Sequence, residues 1–253
     1  MNCMILICWE WEKHIRQDNR PYWIKKLDKR INRFYVNHFL SPQFKSFGKG
    51  SAVFKPRFVK VFGANVSIGN FPTIIGEQDA LIQLTSWDVG EWEGEIDIGD
   101  YALISPGVRI LAAKRVSIGD ACMFGHGAYI TDSDWHGIYD RTEVVGSPKE
   151  VVLEKNVWIG DSAIVCKGVT IGENSIIGAG SVVTKDVPRN SVYAGNPAKL
   201  VKELDEGEFV SRESFFSDPK KLADDFDMLD RYTLAKNSTF SWIKSLIFRD
   251  KSH

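Results

Sequence analysis

Between Leu153 and Val183 the chain repeats an aliphatic residue at every sixth position: Leu153, Ile159, Val165, Ile171, Ile177 and Val183. A second column lies four residues after each and is small or β-branched: Val157, Ala163, Val169, Ser175, Ser181 and Val187. Glycine follows the aliphatic residue at Gly160, Gly172 and Gly178. An α-helix cannot hold a six-residue column on one face, whereas extended structure can. A short fixed period of this kind predicts stacked coils. Three six-residue sides would close a triangular coil, with the aliphatic column stacking inward and each coil about 4.8 Å above the last. The small column fits the corners, and glycine beside the aliphatic position admits backbone angles that larger residues resist. Each buried aliphatic contributes roughly 1.5–3 kcal/mol, so the stack rests on the column and not on one member.

The same column begins upstream at Phe62, Ile68 and Ile74, and its register fails between Gly76 and Ile96. It returns at Ile98, Ile104 and Ile110, slips by two over Leu111–Ser117, and resumes at Ile118, Phe124 and Ile130. The first break, 76–96, carries Trp87 and Trp92 among acidic residues. That mixture suits a sugar, which stacks on an indole while carboxylates hold its rim; a simple coil connection is the alternative. The second break, 131–152, reads TDSDWHGIYDRTEVVGSPKEVV and leaves the repeat between two regular coils. A loop this long in a compact repeat usually carries function. It holds His136, flanked by Asp132 and Asp134.

Both ends of the chain lack the period. Residues 21–40 predict a helix opened by Pro21, with Trp23, Leu27, Ile31, Phe34 and His38 on one side. Lys25, Lys26, Lys29, Arg30 and Arg33 fill the other. The apolar side is expected to pack on the solenoid, a helix lying in a membrane interface being the alternative. At the far end, Asp218-Pro219 marks a helix start, with Leu222, Phe226 and Leu229 lining one face. A further helix is expected over Thr239–Arg249, with Phe240, Ile243 and Ile247 on one side. This tail would cover an open coil edge or a neighbouring subunit, membrane contact through Trp242, Lys244 and Phe248 being the other reading. The chain thus divides into a basic extension 1–60, a repeat domain 61–202 and a helical tail 203–253.

Charge changes this picture little. The formal net charge of −1 over 253 residues argues against a general nucleic-acid binder. Its distribution is uneven, since residues 1–60 hold 13 Lys/Arg against 4 Asp/Glu. Cys122 and Cys166 fall in the small and glycine columns as core fillers, and Cys3 and Cys8 show no paired spacing, which fits a reducing cytoplasm. The apolar run Met4–Trp9 is too short to span a bilayer or to serve as an export signal.

The segment 158–202, above all Gly-Ala-Gly-Ser-Val-Val-Thr-Lys-Asp (178–186) and Ala-Gly-Asn-Pro-Ala-Lys (194–199), resembles the hexapeptide-repeat acyltransferases, in particular galactoside, maltose and polysaccharide O-acetyltransferases. The likeness covers roughly 60–202. It implies a mainly β fold, a left-handed parallel β-helix with helical extensions at both ends. It also implies a homotrimer and transfer of an acetyl group from acetyl-CoA to a sugar or glycan hydroxyl, with no metal. By position, the family's coenzyme A groove maps onto Gly160, Asp161, Ala179, Thr184, Lys185, Lys199 and Lys202. Where some relatives carry Arg, Lys199 and Lys202 offer point charges without a bidentate fork.

A hydroxyl is a poor nucleophile at neutral pH, so a base is needed. Histidine suits that task. Only His126 and His136 lie in the repeat region, and the family's catalytic histidine precedes the coil that opens Trp-Ile-Gly, which selects His136. Asp134 or Asp132 could orient its ring, and Trp87, Trp92 and Asp132 are candidate acceptor contacts. Transfer to an amino-sugar nitrogen and a non-catalytic β-helix scaffold are the competing readings. A zinc enzyme would need a third close ligand beside the two histidines.

Overall fold

The computed structural model describes residues 18–205 and 207–247. The run Met4–Trp9 with Cys3 and Cys8, and the end of the expected last helix, Phe248 and Arg249, lie outside the described residues. The chain forms two compact units, Asn32–Ser217 on one hand and Met1–Ile31 with Asp218–His253 on the other.

Asn32–Ser217 contains the coils. Three sheets run alongside one another, and each successive coil adds a parallel strand to all three. Face 1 runs from Ser46–Phe47 to Thr170–Ile171, face 2 from Ala52–Phe54 to Ser191–Ala194, and face 3 from Val59–Phe62 to Val182–Val183. Inward residues stack in register: Ile68, Ile98, Ile118, Leu153 and Ile171 on face 1. Ile74, Ile104, Phe124, Ile159 and Ile177 do so on face 2, and Leu84, Ile110, Ile130, Val165 and Val183 on face 3. All fifteen are buried, as is the whole small column from Val157 to Val187. The six-residue period is the period of a parallel β-helix. Cys122 is fully buried in the small column, its thiol donating to the Glu154 carbonyl at 3.1 Å, and burial pushes its pKa up to about 12.

Three expectations change. Phe62 does not begin the inward column; it is 58% exposed, because Val61 beside it points in, paired with Leu84. The first coil lies earlier, with strands at Ser46–Phe47, Ala52–Phe54 and Val59–Phe62, inside the stretch read as an extension. Second, the break 76–96 is not wholly outside the coils. Ile82–Ser86 is a strand of face 3, and what leaves the wall is a small hairpin pairing Asp88–Val89 with Trp92–Glu93.

The third change concerns glycine. Gly160 and Gly172 do not have left-handed backbones; they are required by close approach. A Cβ on Gly172 would lie 2.3 Å from the Arg189 amide nitrogen, and one on Gly160 would lie 2.6 Å from the Ile177 carbonyl oxygen. Positive φ occurs instead at the corners. Asn156, Asn174 and Asn190 adopt it at 60°, 61° and 54° where face 1 turns into face 2. Asparagine tolerates that region better than most residues, and the three amides form a ladder with two steps of 2.9 Å.

The last coil is closed by Lys199–Glu203, which pairs antiparallel with Ser191–Ala194 at the end of face 2. Lys199 and Lys202 therefore sit on a terminating strand that covers a sheet edge.

The other unit is helical. Helix α1 (Tyr22–Tyr35) begins in it, followed in sequence by α2 (Pro219–Thr233) and α3 (Thr239–Ile247). The Asp218 side chain caps α2 by accepting from the Lys221 amide, with Pro219 in the first turn as expected. The Tyr22 hydroxyl donates to Asp227 at 2.6 Å, and Lys25 pairs with Asp230 at 2.7 Å. Within this unit the described residues leave the apolar side of α1 uncovered, with Trp23, Leu27 and Ile31 53%, 45% and 46% exposed. His38, expected on a packed side, is exposed in the helical turn Val36–Leu40 and stacks on the Phe34 ring at 4.0 Å.

Gly172→Ala should lower stability by about 1–3 kcal/mol, because the added methyl must push apart a pair of hydrogen-bonded coils. Denaturant unfolding checks this, and an unchanged midpoint would mean the coils are not held at that spacing.

Candidate functional site

Extra residues can leave a coil only at its corners, and here they leave where face 3 turns into face 1. The Trp87 hairpin departs after Ile82–Ser86 and returns at Glu95–Ile98. Two coils later the long loop departs after Tyr129–Thr131 and returns at Val151–Leu153. Thr184 and Lys185 follow the last face 3 strand at the same corner. This 3–1 edge carries His136, Asp132, Asp134, Trp87, Trp92, Thr184 and Lys185.

The loop is built from its base upward. Asp132 is fully buried, and its two carboxylate oxygens accept from the Ala113, Lys114 and Arg115 amides at 2.8, 2.7 and 2.7 Å. Burial holds its carboxyl above the ordinary value, against the opposing pull of those donors. Asp132 thus clasps the corner where register slips over Leu111–Ser117. It is not free to grip an acceptor or to orient His136, which corrects both of its expected roles.

The loop then closes on itself. The Lys149 amide donates to the Asp132 carbonyl at 2.8 Å, and the Trp135 indole N–H donates to Thr131 Oγ1 at 3.1 Å. Trp135 takes a left-handed backbone, φ 65°, and its ring meets the edge of Trp87 at 6.0 Å, which in turn contacts Phe62 at 5.2 Å. Gly146 permits the returning limb of the loop to approach, since a Cβ there would lie 2.5 Å from the His136 carbonyl oxygen. The His136 side chain is exposed at the head of this arrangement. Arg141 braces the far side through the Gly137 carbonyl at 2.7 Å.

Asp134 does not meet His136. Its carboxylate pairs with Lys167, whose ammonium also donates to the Ser147 carbonyl at 2.9 Å. One lysine from the next coil's corner therefore ties down both limbs of the loop. Sequence reasoning missed Lys167, as it did Trp135. The available signal was a lysine directly before the corner Gly168, level with the loop in the stack.

The remaining expected residues lie elsewhere. Gly160, Asp161 and Ala179 occupy the corner where face 2 turns into face 3, and the turn before Lys199 lies at its foot, the Ala198 amide donating to the Val182 carbonyl at 2.8 Å. At this 2–3 edge a Cβ on Gly180 would meet nothing within 4 Å, which leaves room for a ligand chain. His126 also stands here, with Nδ1 3.7 Å from Asp161. Face 3 separates the two edges, so within one chain the His136 loop and the Gly160–Ala179 corner do not converge. Lys202 lies on the closing strand. Among the described residues no group of three or more His, Cys, Asp or Glu could hold a metal ion.

The model of the bacterial transferase hexapeptide (six repeats) matches residues 150–185. The galactoside O-acetyltransferase of Escherichia coli (strain K12) is 32% identical over 168 residues, which is 66% of this chain and 68% of the relative. The chain belongs to the hexapeptide-repeat acetyltransferases. It is therefore an enzyme, an acyl-CoA-dependent acetyltransferase with the left-handed β-helix of its family. Among solved structures, a maltose O-acetyltransferase from Clostridium difficile 630 is 24% identical, covering 75% of this chain and 92% of that one with a TM-score of 0.42. An N-acyltransferase from Bacillus cereus, solved with dTDP-4-amino-4,6-dideoxyglucose and coenzyme A, is 19% identical, covering 71% and 89% with a TM-score of 0.44.

Asp132→Asn in this acetyltransferase should melt at lower temperature than the wild type. An amide offers one acceptor oxygen where three N–H groups need partners, and each donor left buried and unpaired costs about 1–3 kcal/mol. An unchanged melting temperature would contradict the clasp.

Proposed function

We propose that the protein transfers an acetyl group from acetyl-CoA to a hydroxyl of a sugar or surface glycan, with His136 as general base. One observation carries this reading: an exposed imidazole on a loop pinned at its base, on the same edge as Thr184 and Lys185, the loop meeting the partly exposed Trp87 through Trp135. A coil spacing of about 4.8 Å sets Thr184 and Lys185 roughly 10 Å below the loop, two coils down. That is a suitable offset for a cationic hold on the phosphates of an extended thioester carrier.

In this mechanism His136 accepts the proton of the acceptor hydroxyl as its oxygen attacks the thioester carbonyl. The C–S bond then breaks, and the departing thiolate takes the proton back from the imidazolium, so that the base is restored. Asp134, committed to Lys167, holds the loop and leaves the imidazole free. Trp87 and Trp92 offer flat surfaces for the acceptor ring. Gly160, Asp161, Ala179 and Lys199 belong to the opposite edge, and a homotrimer reconciles the two: the 3–1 edge of one copy faces the 2–3 edge of its neighbour, with the carrier between them.

Coenzyme A release across a panel of free sugars, amino sugars, nucleotide sugars and glycans tests the acceptor class. His136→Ala should fold normally and lose about 10²–10⁴ in turnover, with KM for acetyl-CoA nearly kept. His126→Ala should retain most activity; the reverse pattern would move the base to the other edge.

Lys185→Ala should raise KM for acetyl-CoA more than it lowers kcat, and the defect should shrink as salt screens the wild-type attraction. Equal binding of acetyl-CoA by variant and wild type at low salt would remove Lys185 from the carrier's path.

A further inference from the structure

The helical unit carries an apolar surface that the acetyltransfer chemistry does not use. On α1, Trp23, Leu27 and Ile31 recur at four-residue spacing and are 53%, 45% and 46% exposed. On α3, Phe240, Ile243 and Ile247 are 79%, 47% and 68% exposed. The two stripes adjoin, since the Trp23 indole N–H donates to Thr239 Oγ1, at the head of α3, at 3.4 Å.

Charge selects the occupant. The acids nearest α1 are already neutralised: Asp230 by Lys25 and Lys29, Asp227 by Arg231, and Asp18 by Arg20. Among the described residues of this unit, Lys26, Arg30, Lys220, Lys221, Lys236 and Lys244 have no acidic partner, against only Asp224 and Asp225 left without a basic partner or a capping role. Lys26 and Arg30 border the α1 stripe, and Lys244 lies on α3 between Ile243 and Ile247. A symmetric contact with a second copy would set these cations against one another. A surface of anionic lipid phosphates meets both the cations and the apolar stripe. None of the described helices is long and apolar enough to cross a membrane, which suits helices lying on one.

We propose that this unit docks the enzyme on the surface of an anionic phospholipid bilayer. Helices α1 and α3 lie in the interface plane, with Trp23, Leu27, Ile31, Ile243 and Ile247 among the acyl chains and Lys26, Arg30 and Lys244 at the phosphates. Docking of this kind is independent of the acceptor's identity and of His136.

The test is co-sedimentation of the full chain with vesicles of phosphatidylcholine alone and with 30% phosphatidylglycerol. Binding should be confined to the anionic vesicles and weaken as salt rises from 0.1 to 0.5 M. The double variant Lys26→Glu/Arg30→Glu should lose about tenfold or more in partitioning, at about 1 kcal/mol per basic residue. Leu27→Ser/Ile243→Ser should lose it as well. Both should keep the wild-type subunit count by light scattering and the wild-type rate of coenzyme A release with a water-soluble acceptor. Equal binding to neutral and anionic vesicles, or to neither, overturns the proposal. So does a change of subunit count in either variant, which would make the face a contact between copies.

Discussion

Successive backbones in the β-helix stand one hydrogen bond apart at the very positions where glycine follows the inward aliphatic residue. The amides of Gly125, Gly160, Gly172 and Gly178 each donate to a carbonyl of the next coil at 2.8 Å. A Cβ on Gly125, Gly160, Gly172 or Gly178 would lie 2.7, 2.6, 2.3 or 2.9 Å from an atom of the next coil, so glycine at these four positions is a spacing constraint. From it the inward residues must stack like on like, the corners must align into edges, and added chain must leave at an edge. The hairpin of Trp87 and the loop of His136 emerge from one edge for this reason. Their meeting through Trp87 and Trp135 follows from the stack and not from nearness in sequence.

The coils are legible in the sequence because their signal is periodic and local. A six-residue column and its small companion are enough to place Leu153 to Val183, and the burial of each member follows. The first coil is hidden because its inward residues Phe47, Val53 and Val61 stand six and then eight residues apart, only Phe47 is followed by glycine, and Phe62 offers an apolar residue out of phase. Glycine is conspicuous in the pattern, but its cause is not: small size, and not freedom of φ, is what Gly160 and Gly172 supply.

The site is legible only in outline. His136 stands out because its loop interrupts an otherwise regular period, and interruption is visible in a sequence. The roles of its neighbours are not. Asp132 and Asp134 look alike on paper, yet one is fully buried as a clasp for three amides and the other faces Lys167, thirty-three residues onward. Pairings of that kind depend on which coil lies next to which, and nothing in the local pattern specifies them. The helical unit is opaque for a related reason: amphipathic spacing predicts a helix with an apolar side, but not whether that side has a partner within the chain.

If the catalytic edge of one copy works against the opposite edge of another, two inactive variants should complement each other when their subunits are mixed. His136→Ala removes the base on the 3–1 edge, and Ala179→Trp obstructs the exposed corner of the 2–3 edge. Co-refolded in equal amounts, the pair should recover about a quarter of wild-type activity, since a quarter of the neighbour contacts in a randomly mixed ring join two intact edges. No recovery in demonstrably mixed oligomers would contradict the account and confine the site to a single chain.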